Sequence, residues 1–221
     1  PDISCILNIT EDHLEHHKSM KNYISIKSKI FENQTQNDYC ILNYDDKICQ
    51  KLAKKSPAKI IFFSRKKKLN NGTYYHGTTF FVTLNSKPST LHPILRIPGN
   101  HNIENALAAV AISKINGISL KVIEKTLSEF NGVEHRLEFV RNLKGIDYIN
   151  DSKSTNVSST LCALESFKKD IILIMGGRDK GFPYKPLKQL VSKKVKALLL
   201  IGEAAKKIEQ DLKGATEVFQ C

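Results

Sequence analysis

The segment Asp170-Ile171-Ile172-Leu173-Ile174-Met175-Gly176-Gly177 decides the fold class, because it is a strand-length run of apolar residues that ends in two glycines. Uninterrupted apolar runs of this length are typical of parallel strands with both faces covered. A helical pattern precedes it over residues 157–167, and a helix near 186–192, a strand over 197–201 and a helix through 208 follow it. This alternation predicts an α/β chain with a parallel, Rossmann-like sheet in its second half.

The first half also mixes strand and helix patterns, and it ends at a break near residue 132. We predict strands over 2–9, 39–43, 59–64 and 94–97, with further β-structure over 73–84. Helices are predicted over 19–31, over 102–115 and from 119 onward, with N-caps at Ser19 and Ser119. The side chains of the last helix that should face the protein interior are Val122, Ile123, Leu127 and Phe130. Because Asn131-Gly132 breaks it, we place a domain boundary there, which gives domains 1–132 and 133–221.

Composition and charge exclude several classes of protein. The 221 residues include 34 Lys and Arg against 22 Asp and Glu, a net charge of +12, which suits nucleic acid or phosphorylated small molecules. Much of the excess lies in short lysine runs without interleaved aromatic residues for base stacking, so we expect no nucleic-acid partner. No run of about 18 apolar residues is present, so we expect no membrane span. Five scattered cysteines without a CxxC pair predict a reduced, cytoplasmic chain.

Two features near the N-terminus have the chemistry of metal ligands. Residues 11–17 form a polar turn rich in His and Glu just beyond a predicted strand end, and His13 and His17 would share one face of a helix. Taken alone, such a turn is more typical of a solvated loop. Lys27 falls on the apolar stripe of the next helix, near Tyr23 and Ile30. A lysine there usually extends its amine to solvent, but a buried neutral amine can react with carbon dioxide to give a carbamate that suits Mg²⁺.

Two further features suit a nucleotide. The segment Pro98-Gly99-Asn100-His101-Asn102-Ile103-Glu104-Asn105 leads a loop into a helix N-terminus, where anions bind well. Asn102 and Asn105 are three residues apart and neighbour each other on one face, so their amides could read the edge of a base; N-capping explains Asn102 well and Asn105 poorly. Arg136, just past the predicted boundary, could clamp phosphate, or could form an exposed salt bridge between domains.

Two polar loops follow strands of the second half. The first, Asn150-Asp151-Ser152-Lys153-Ser154-Thr155-Asn156, combines hydroxyls, an amine and a carboxylate between a strand and a helix start. The second, Gly176-Gly177-Arg178-Asp179-Lys180-Gly181, offers backbone amides and a lysine to a carboxylate or phosphate. A single glycine-rich turn is a weak signal, whereas two such loops on neighbouring parallel strands favour an anionic ligand.

These segments, in this order, resemble the Mur ligase family across essentially the whole chain. The Asn-Asp-Ser-Lys-Ser-Thr-Asn run is similar to that of members that add D-glutamate, since diaminopimelate- or lysine-adding members usually have a Tyr-Ala-His-type segment there. The resemblance implies the second half of a central ATPase domain followed by a Rossmann-like C-terminal domain. It also implies a monomeric enzyme that uses ATP and Mg²⁺ to join D-glutamate to UDP-N-acetylmuramoyl-L-alanine in peptidoglycan synthesis, through an acyl phosphate.

The resemblance also implies roles for individual residues. His13 would be a Mg²⁺ ligand, and Lys27, carbamoylated, would support a second Mg²⁺. Asn102 and Asn105 would contact the nucleotide, with Asn105 near the adenine. In the second half, Arg136 would contact the phosphates and Asp151 the ribose. The D-glutamate side of the cleft would be lined by Ser152, Lys153, Thr155 and Lys180. Lys153 would also be a catalytic residue, together with His13 and Lys27.

The chain departs from the family pattern at both ends. It contains no GxxGK[ST] loop, so the P-loop lysine, a Mg²⁺-binding glutamate and the UDP-binding domain are expected upstream of Pro1, and a last segment with a Ser and a Phe near D-glutamate is expected beyond Cys221. We therefore expect residues 1–221 alone not to turn over ATP. Two alternatives remain open: another ATP-dependent ligase of the Mur and folylpolyglutamate synthase superfamily, including cyanophycin-type enzymes, or a basic, non-catalytic binding module.

Overall fold

The computed structural model describes residues 1–11, 14–84 and 88–221, and the chain divides into two compact units. Unit 1 comprises Pro1–Arg96 and Asn100–Asn131, and unit 2 comprises Ile97–Gly99 and Gly132–Cys221. Within the described residues, no helix is both long enough and apolar enough to cross a membrane.

Unit 1 is built on a mixed sheet with helices on both of its faces. Its described strands lie in the order of the chain: β1 Ile3–Ile6, β2 Tyr39–Asn43, β3 Lys59–Ser64, β4 Gly72–His76, β5 Thr79–Val82 and β6 Ser89–Leu91. The first four pair in parallel, and β4, β5 and β6 pair antiparallel. Its helices are α1 Leu14–His17, α2 Met20–Ser28 with a 3₁₀ turn Lys29–Phe31, α3 Lys47–Ala53, α4 Asn100–Ile115 and α5 Leu120–Glu129.

Three helices of unit 1, α2, α3 and α5, begin at side-chain caps. Ser19 accepts the backbone N–H of Asn22 at 3.2 Å, and Ser119 accepts that of Val122 at 3.4 Å. Both predicted N-caps are therefore confirmed. The sequence analysis did not predict α3, which Asp46 caps by accepting two backbone N–H groups at 2.7 and 2.8 Å. A seven-residue helix is too short to show a clear 3.6-residue period.

The central strands of unit 1 are buried on both faces. Ile41 and Phe63 pack with Leu107 of α4 and Ile123 of α5 on one side. The next residues along β2, Cys40 and Leu42, pack on the other side with Tyr23 of α2 and Leu52 of α3. This alternation explains why β2 is apolar at successive positions.

Two predictions for unit 1 are wrong. The last strand is Ser89–Leu91, and residues 94–97 form no strand. Pro93 and Pro98 flank that stretch, and proline has no N–H for a strand ladder. Val122 and Phe130, which we expected to face inward, are 53% and 44% exposed, because α5 buries Ile123 instead.

Unit 2 contains a hairpin and a parallel sheet. The hairpin pairs β7 Glu138–Leu143 with β8 Ile146–Asn150. The described sheet has the order β11-β10-β9 and is parallel throughout, with β9 Ile171–Gly176, β10 Val195–Ile201 and β11 Glu217–Gln220. The helices are α6 Val157–Ser166, α7 Lys188–Lys194, which follows a 3₁₀ turn Lys185–Leu187, and α8 Ala205–Asp211. The predicted α/β class and parallel, Rossmann-like arrangement are confirmed.

The expectation that both faces of β9 are covered is wrong for the described residues. Leu198 and Leu200 pack with Leu164, Val191 and Ile208 of the three helices, so one face forms the core. The opposite face leaves Ile172 59% and Ile174 62% exposed. The connections β9-α7-β10 and β10-α8-β11 advance across the sheet in one direction, and right-handed crossovers then place both helices on the same face.

Candidate functional site

The paired asparagines of unit 1 lie on the first turns of α4. The helix begins at Asn100, so Asn102 lies inside the first turn and not at the N-cap position. The Nδ2 group of Asn105 donates to Oδ1 of Asn102 at 3.2 Å, and Asn105 is exposed. The expected juxtaposition of the two amides is therefore present. An asparagine amide offers one donor and one acceptor edge, which complements the amino group and ring nitrogen of adenine.

A polar network that the sequence analysis missed lies beside these amides. Arg65, directly after β3, donates through Nε to Oε1 of Glu104 on α4 at 3.1 Å. Asp45, beyond the end of β2, accepts the hydroxyl of Ser64 at 2.7 Å and the backbone N–H of Arg65 at 2.8 Å. The only sequence signal was the position of these polar residues after neighbouring parallel strands, where polar ends meet at one sheet edge.

The described residues do not test the predicted pairing of metal ligands. His13 lies outside the residues that the structure describes. Lys27 is exposed, with Nζ 5.4 Å from the ring centroid of Tyr23, whose ring lies 5.0 Å from that of His17. An exposed amine is the usual arrangement for a lysine on such a stripe, and here α2 buries Tyr23 and leaves Ile26 48% exposed.

The described side chains do not by themselves fit a magnesium ion. Within residues 1–11, 14–84 and 88–221, no group of three His, Cys, Asp or Glu residues lies close enough to hold a metal. Mg²⁺ prefers several oxygen ligands in near-octahedral geometry. The roles of His13 and of a carbamoylated Lys27 therefore stay predictions.

In unit 2, the segment around Arg136 and the loop after β8 form one hydrogen-bonded structure. Asp151 accepts the backbone N–H of Leu137 at 3.1 Å through Oδ1, and the Ser154 hydroxyl through Oδ2. The backbone N–H of Lys153 donates to the carbonyl of His135 at 3.1 Å. His135 and Leu137, which flank Arg136, have φ values of 66° and 46°. These contacts hold the backbone on either side of Arg136 in a left-handed conformation that most residues avoid.

The candidate binding residues project from this structure. Arg136, Ser152, Lys153 and Thr155 are exposed, whereas Asp151 is half-buried. Asn156 begins α6 with a capping box, in which its side chain accepts the N–H of Ser159 at 2.8 Å. The loop between β8 and α6 therefore combines a fixed backbone with solvent-exposed polar side chains, a combination that suits ligand binding.

The glycine-rich loop after β9 is fixed by close contact with the loop after β10. Gly176 has φ 144°, and a Cβ built there would lie 1.9 Å from the carbonyl oxygen of Ile201. The N–H of Gly177 donates to that oxygen at 2.8 Å, and its own carbonyl accepts from Ala204 at 2.9 Å. Only glycine fits this approach.

Asp179 stabilises the same loop from within. Its Oδ1 accepts the backbone N–H of Gly181 at 2.8 Å and lies 3.6 Å from Nζ of Lys207. Burial, followed by the negative charges of Asp179 and Asp211, raises the pKa of Tyr184. Lys180 is exposed at the tip of this ordered loop. The structure thus groups the candidate side chains into the amide pair of unit 1 and two ordered loops of unit 2.

Comparison with known families agrees with this arrangement. Residues 1–113 match the model of the Mur ligase middle domain, and residues 135–221 match that of the Mur ligase glutamate ligase domain. The chain belongs to the Mur ligase family.

Among individual relatives, the chain is similar to UDP-N-acetylmuramoylalanine–D-glutamate ligases. It is 49% identical over 210 residues to that of Clostridioides difficile strain 630, covering 95% of this chain and 47% of the relative. It is 41% identical over 220 residues to that of Koribacter versatilis, covering 99% of this chain and 49% of the relative. The chain therefore spans about half the length of the curated relatives that it matches.

Solved structures support the fold alone. The crystal structure of MurF from Acinetobacter baumannii superposes with a TM-score of 0.81 at 21% identity, covering all of this chain and 51% of that one. MurF ligase from Thermotoga maritima in complex with ADP superposes with a TM-score of 0.74 at 15% identity, covering all of this chain and 53% of that one.

Proposed function

We propose that this chain is part of an ATP-dependent ligase that joins D-glutamate to UDP-N-acetylmuramoyl-L-alanine in peptidoglycan synthesis. The observation that carries the proposal is the 49% identity over 210 residues to a D-glutamate ligase, which includes both loops of unit 2. In this proposal unit 1 contributes to nucleotide binding and unit 2 to amino-acid binding.

The amides of Asn102 and Asn105 are our candidates for the adenine contact. The hydrogen bond of 3.2 Å between them fixes their relative orientation before any ligand binds. A preoriented amide loses less side-chain entropy when it binds a base edge. Arg136 stays our candidate for phosphate. The predicted ribose contact of Asp151 competes with its bonds to Leu137 and Ser154, which favour a role in holding the loop.

The chemistry requires two successive displacements. The substrate carboxylate attacks the γ-phosphorus of ATP, which forms an acyl phosphate and releases ADP. The amine of D-glutamate, having lost a proton, then attacks the acyl carbon, so that a C–N bond forms and the C–O bond to phosphate breaks.

The exposed cations of unit 2 suit the amino-acid substrate. D-Glutamate carries two carboxylates, and Lys153 and Lys180 lie on two separate ordered loops. Their ammonium groups would bind those carboxylates, and Thr155 and Ser152 would add hydroxyl hydrogen bonds. Holding the amine in one orientation toward the acyl carbon lowers the entropic part of the barrier.

Amino-acid selectivity tests the proposal. The full gene product that carries residues 1–221 is supplied with ATP and UDP-N-acetylmuramoyl-L-alanine, and with D-glutamate, L-glutamate, meso-diaminopimelate or L-lysine in separate reactions. Phosphate release and the mass of the UDP-linked product are measured. We expect turnover with D-glutamate and a product heavier by one glutamyl group. Turnover with diaminopimelate or lysine, and none with D-glutamate, would favour the alternative ligases.

A further inference from the structure

We propose that Arg65 is a positioning residue for the nucleotide: through Glu104 it fixes the first turns of α4, and thereby the orientation of the Asn102 and Asn105 amides. The inference rests on the proposed function, because it assumes that those amides contact adenine. It adds a residue pair that does not itself touch the nucleotide.

The pair occupies a partly desolvated position. The Nε atom of Arg65 lies 3.1 Å from Oε1 of Glu104, and the two side chains are only 25% and 21% exposed. Fully exposed ion pairs contribute little because water and salt screen them. A charge-assisted hydrogen bond whose partners are largely shielded from water is screened less, so this contact can hold an element in place.

Arg65 is itself fixed at its backbone. Asp45 accepts the backbone N–H groups of Arg65 at 2.8 Å and of Lys66 at 3.1 Å, and the Ser64 hydroxyl at 2.7 Å. The backbone N–H of Asp45 in turn donates to Oδ1 of Asn43 at 2.8 Å, and Asn43 is buried. The guanidinium therefore extends from a loop that is bonded to the ends of both β2 and β3.

A second contact anchors α4 about one turn further along. The hydroxyl of Thr73, which is fully buried on β4, donates to the carbonyl of Leu107 at 2.9 Å. Glu104 and Leu107 are three residues apart, close to one helical turn. The two contacts bond α4 to the loop after β3 and to β4, one helical turn apart. Without the first contact, the N-terminal turn that carries the two amides loses its charged bond to the loop after β3.

The position of Glu104 explains why it would affect the amides. It lies between Asn102 and Asn105 in the sequence, on the same turn of α4. Hydrogen bonds to a base need donor–acceptor distances near 3 Å and nearly linear geometry. A small rotation of this turn would therefore weaken binding of ATP without removing any group that touches it.

The test uses three variants of the full gene product. Two are the single substitutions Arg65→Ala and Glu104→Gln, and the third is the double variant Arg65→Glu/Glu104→Arg, which swaps the two charges. Because the pair would affect ground-state and transition-state binding alike, each single variant should raise KM for ATP about five- to tenfold and leave kcat within about twofold. KM for D-glutamate should not change. The swap restores an ion pair and should recover at least half of the loss in KM on a logarithmic scale.

Two controls separate the possible failures. Glu124→Gln, on the neighbouring helix α5, tests the effect of removing a glutamate charge and should change neither KM. Asn105→Ala tests the adenine site itself. If Asn105→Ala leaves KM for ATP unchanged, the proposed nucleotide site fails, and the positioning role fails with it. If Asn105→Ala raises KM but Arg65→Ala and Glu104→Gln only lower the melting temperature, the pair is merely structural and the inference is overturned.

Discussion

The carboxylate of Asp151 accepts the backbone N–H of Leu137 at 3.1 Å, and this bond joins the loop after β8 to the segment that carries Arg136. Leu137 has φ 46°, a conformation that costs a non-glycine residue about 1–2 kcal/mol. The bond helps to compensate that cost. The structure therefore gives Asp151 a role in joining two backbone segments, and not in contacting a ligand.

Substitution of Asp151 should show how much this bond contributes to stability. Asp151→Ala leaves the N–H of Leu137 without its acceptor, and we expect it to lower the free energy of unfolding by about 1–2 kcal/mol. Asp151→Asn keeps an oxygen for that bond and should cost less than half as much. Urea denaturation of both variants measures the difference. Equal losses would show that the bond to Leu137 contributes nothing.

Gly176 should be intolerant of any side chain. A Cβ at this position would lie 1.9 Å from the carbonyl oxygen of Ile201, so we expect Gly176→Ala to destabilise the protein by about 3 kcal/mol or more, at the upper end of single-residue effects. Gly177→Ala is the matched control, because its Cβ would meet nothing within 4 Å and only its φ of 92° is unfavourable. It should cost about 1–2 kcal/mol. Thermal unfolding of both variants, followed by circular dichroism, provides the comparison.

Lys194 should stabilise unit 2 by capping α6. Its Nζ donates to the carbonyls of Leu164 at 2.8 Å and Phe167 at 2.7 Å, near the end of that helix. We expect Lys194→Met to lower the free energy of unfolding by about 1–2 kcal/mol, since those carbonyls lose a charged donor. The neighbouring Lys193 is exposed, and Lys193→Met should change stability by less than about 0.5 kcal/mol. A loss of the same size in both variants would refute the capping role.

The buried cysteines predict how stability depends on alkaline pH. Burial, with a smaller effect from Asp46, raises the pKa of Cys49 from 9.0 to about 12. The native state thus keeps a proton that the unfolded state gives up, so this contribution is complete below pH 9 and is lost as pH rises toward 12. Denaturation midpoints should fall over this range, and fall less in Cys49→Ala.

Thiol labelling checks the same residue independently. At pH 8 a disulfide reagent should react promptly with the exposed Cys221 and with Cys49 only after unfolding. Prompt labelling of Cys49 in the native protein, identified by peptide mass, would contradict its burial.

Much of unit 1 could be predicted because its signals are local. The strands at Tyr39–Asn43 and Lys59–Ser64 are short apolar runs next to polar turns, and the structure has the predicted bounds. The caps at Ser19 and Ser119 follow from the chemistry of a single residue at a helix start. In unit 2, the strand β11 was missed because its four residues, Glu-Val-Phe-Gln, are too few to show the alternation of a strand.

The candidate site was predictable only in part, because long-range pairing leaves no local pattern. Asn102 and Asn105 were found together because three residues separate them on one helix. Arg65 and Glu104 are 39 residues apart, and the lysines after Arg65 made it look like part of a solvated run. Whether Lys27 is buried was left open for a different reason: a helical stripe shows which residues share a face, and not how deeply that face is buried.

The central claim is that the amides of unit 1 contact the adenine and that the loops of unit 2 bind D-glutamate. The most direct measurement is the pair of KM values, for ATP and for D-glutamate, in Asn105→Ala and Lys180→Ala of the full gene product. We predict that Asn105→Ala raises only the KM for ATP and Lys180→Ala only that for D-glutamate, each about tenfold, or about 1.4 kcal/mol of binding. Unchanged KM values in both variants, or an exchange of the two effects, would contradict the claim.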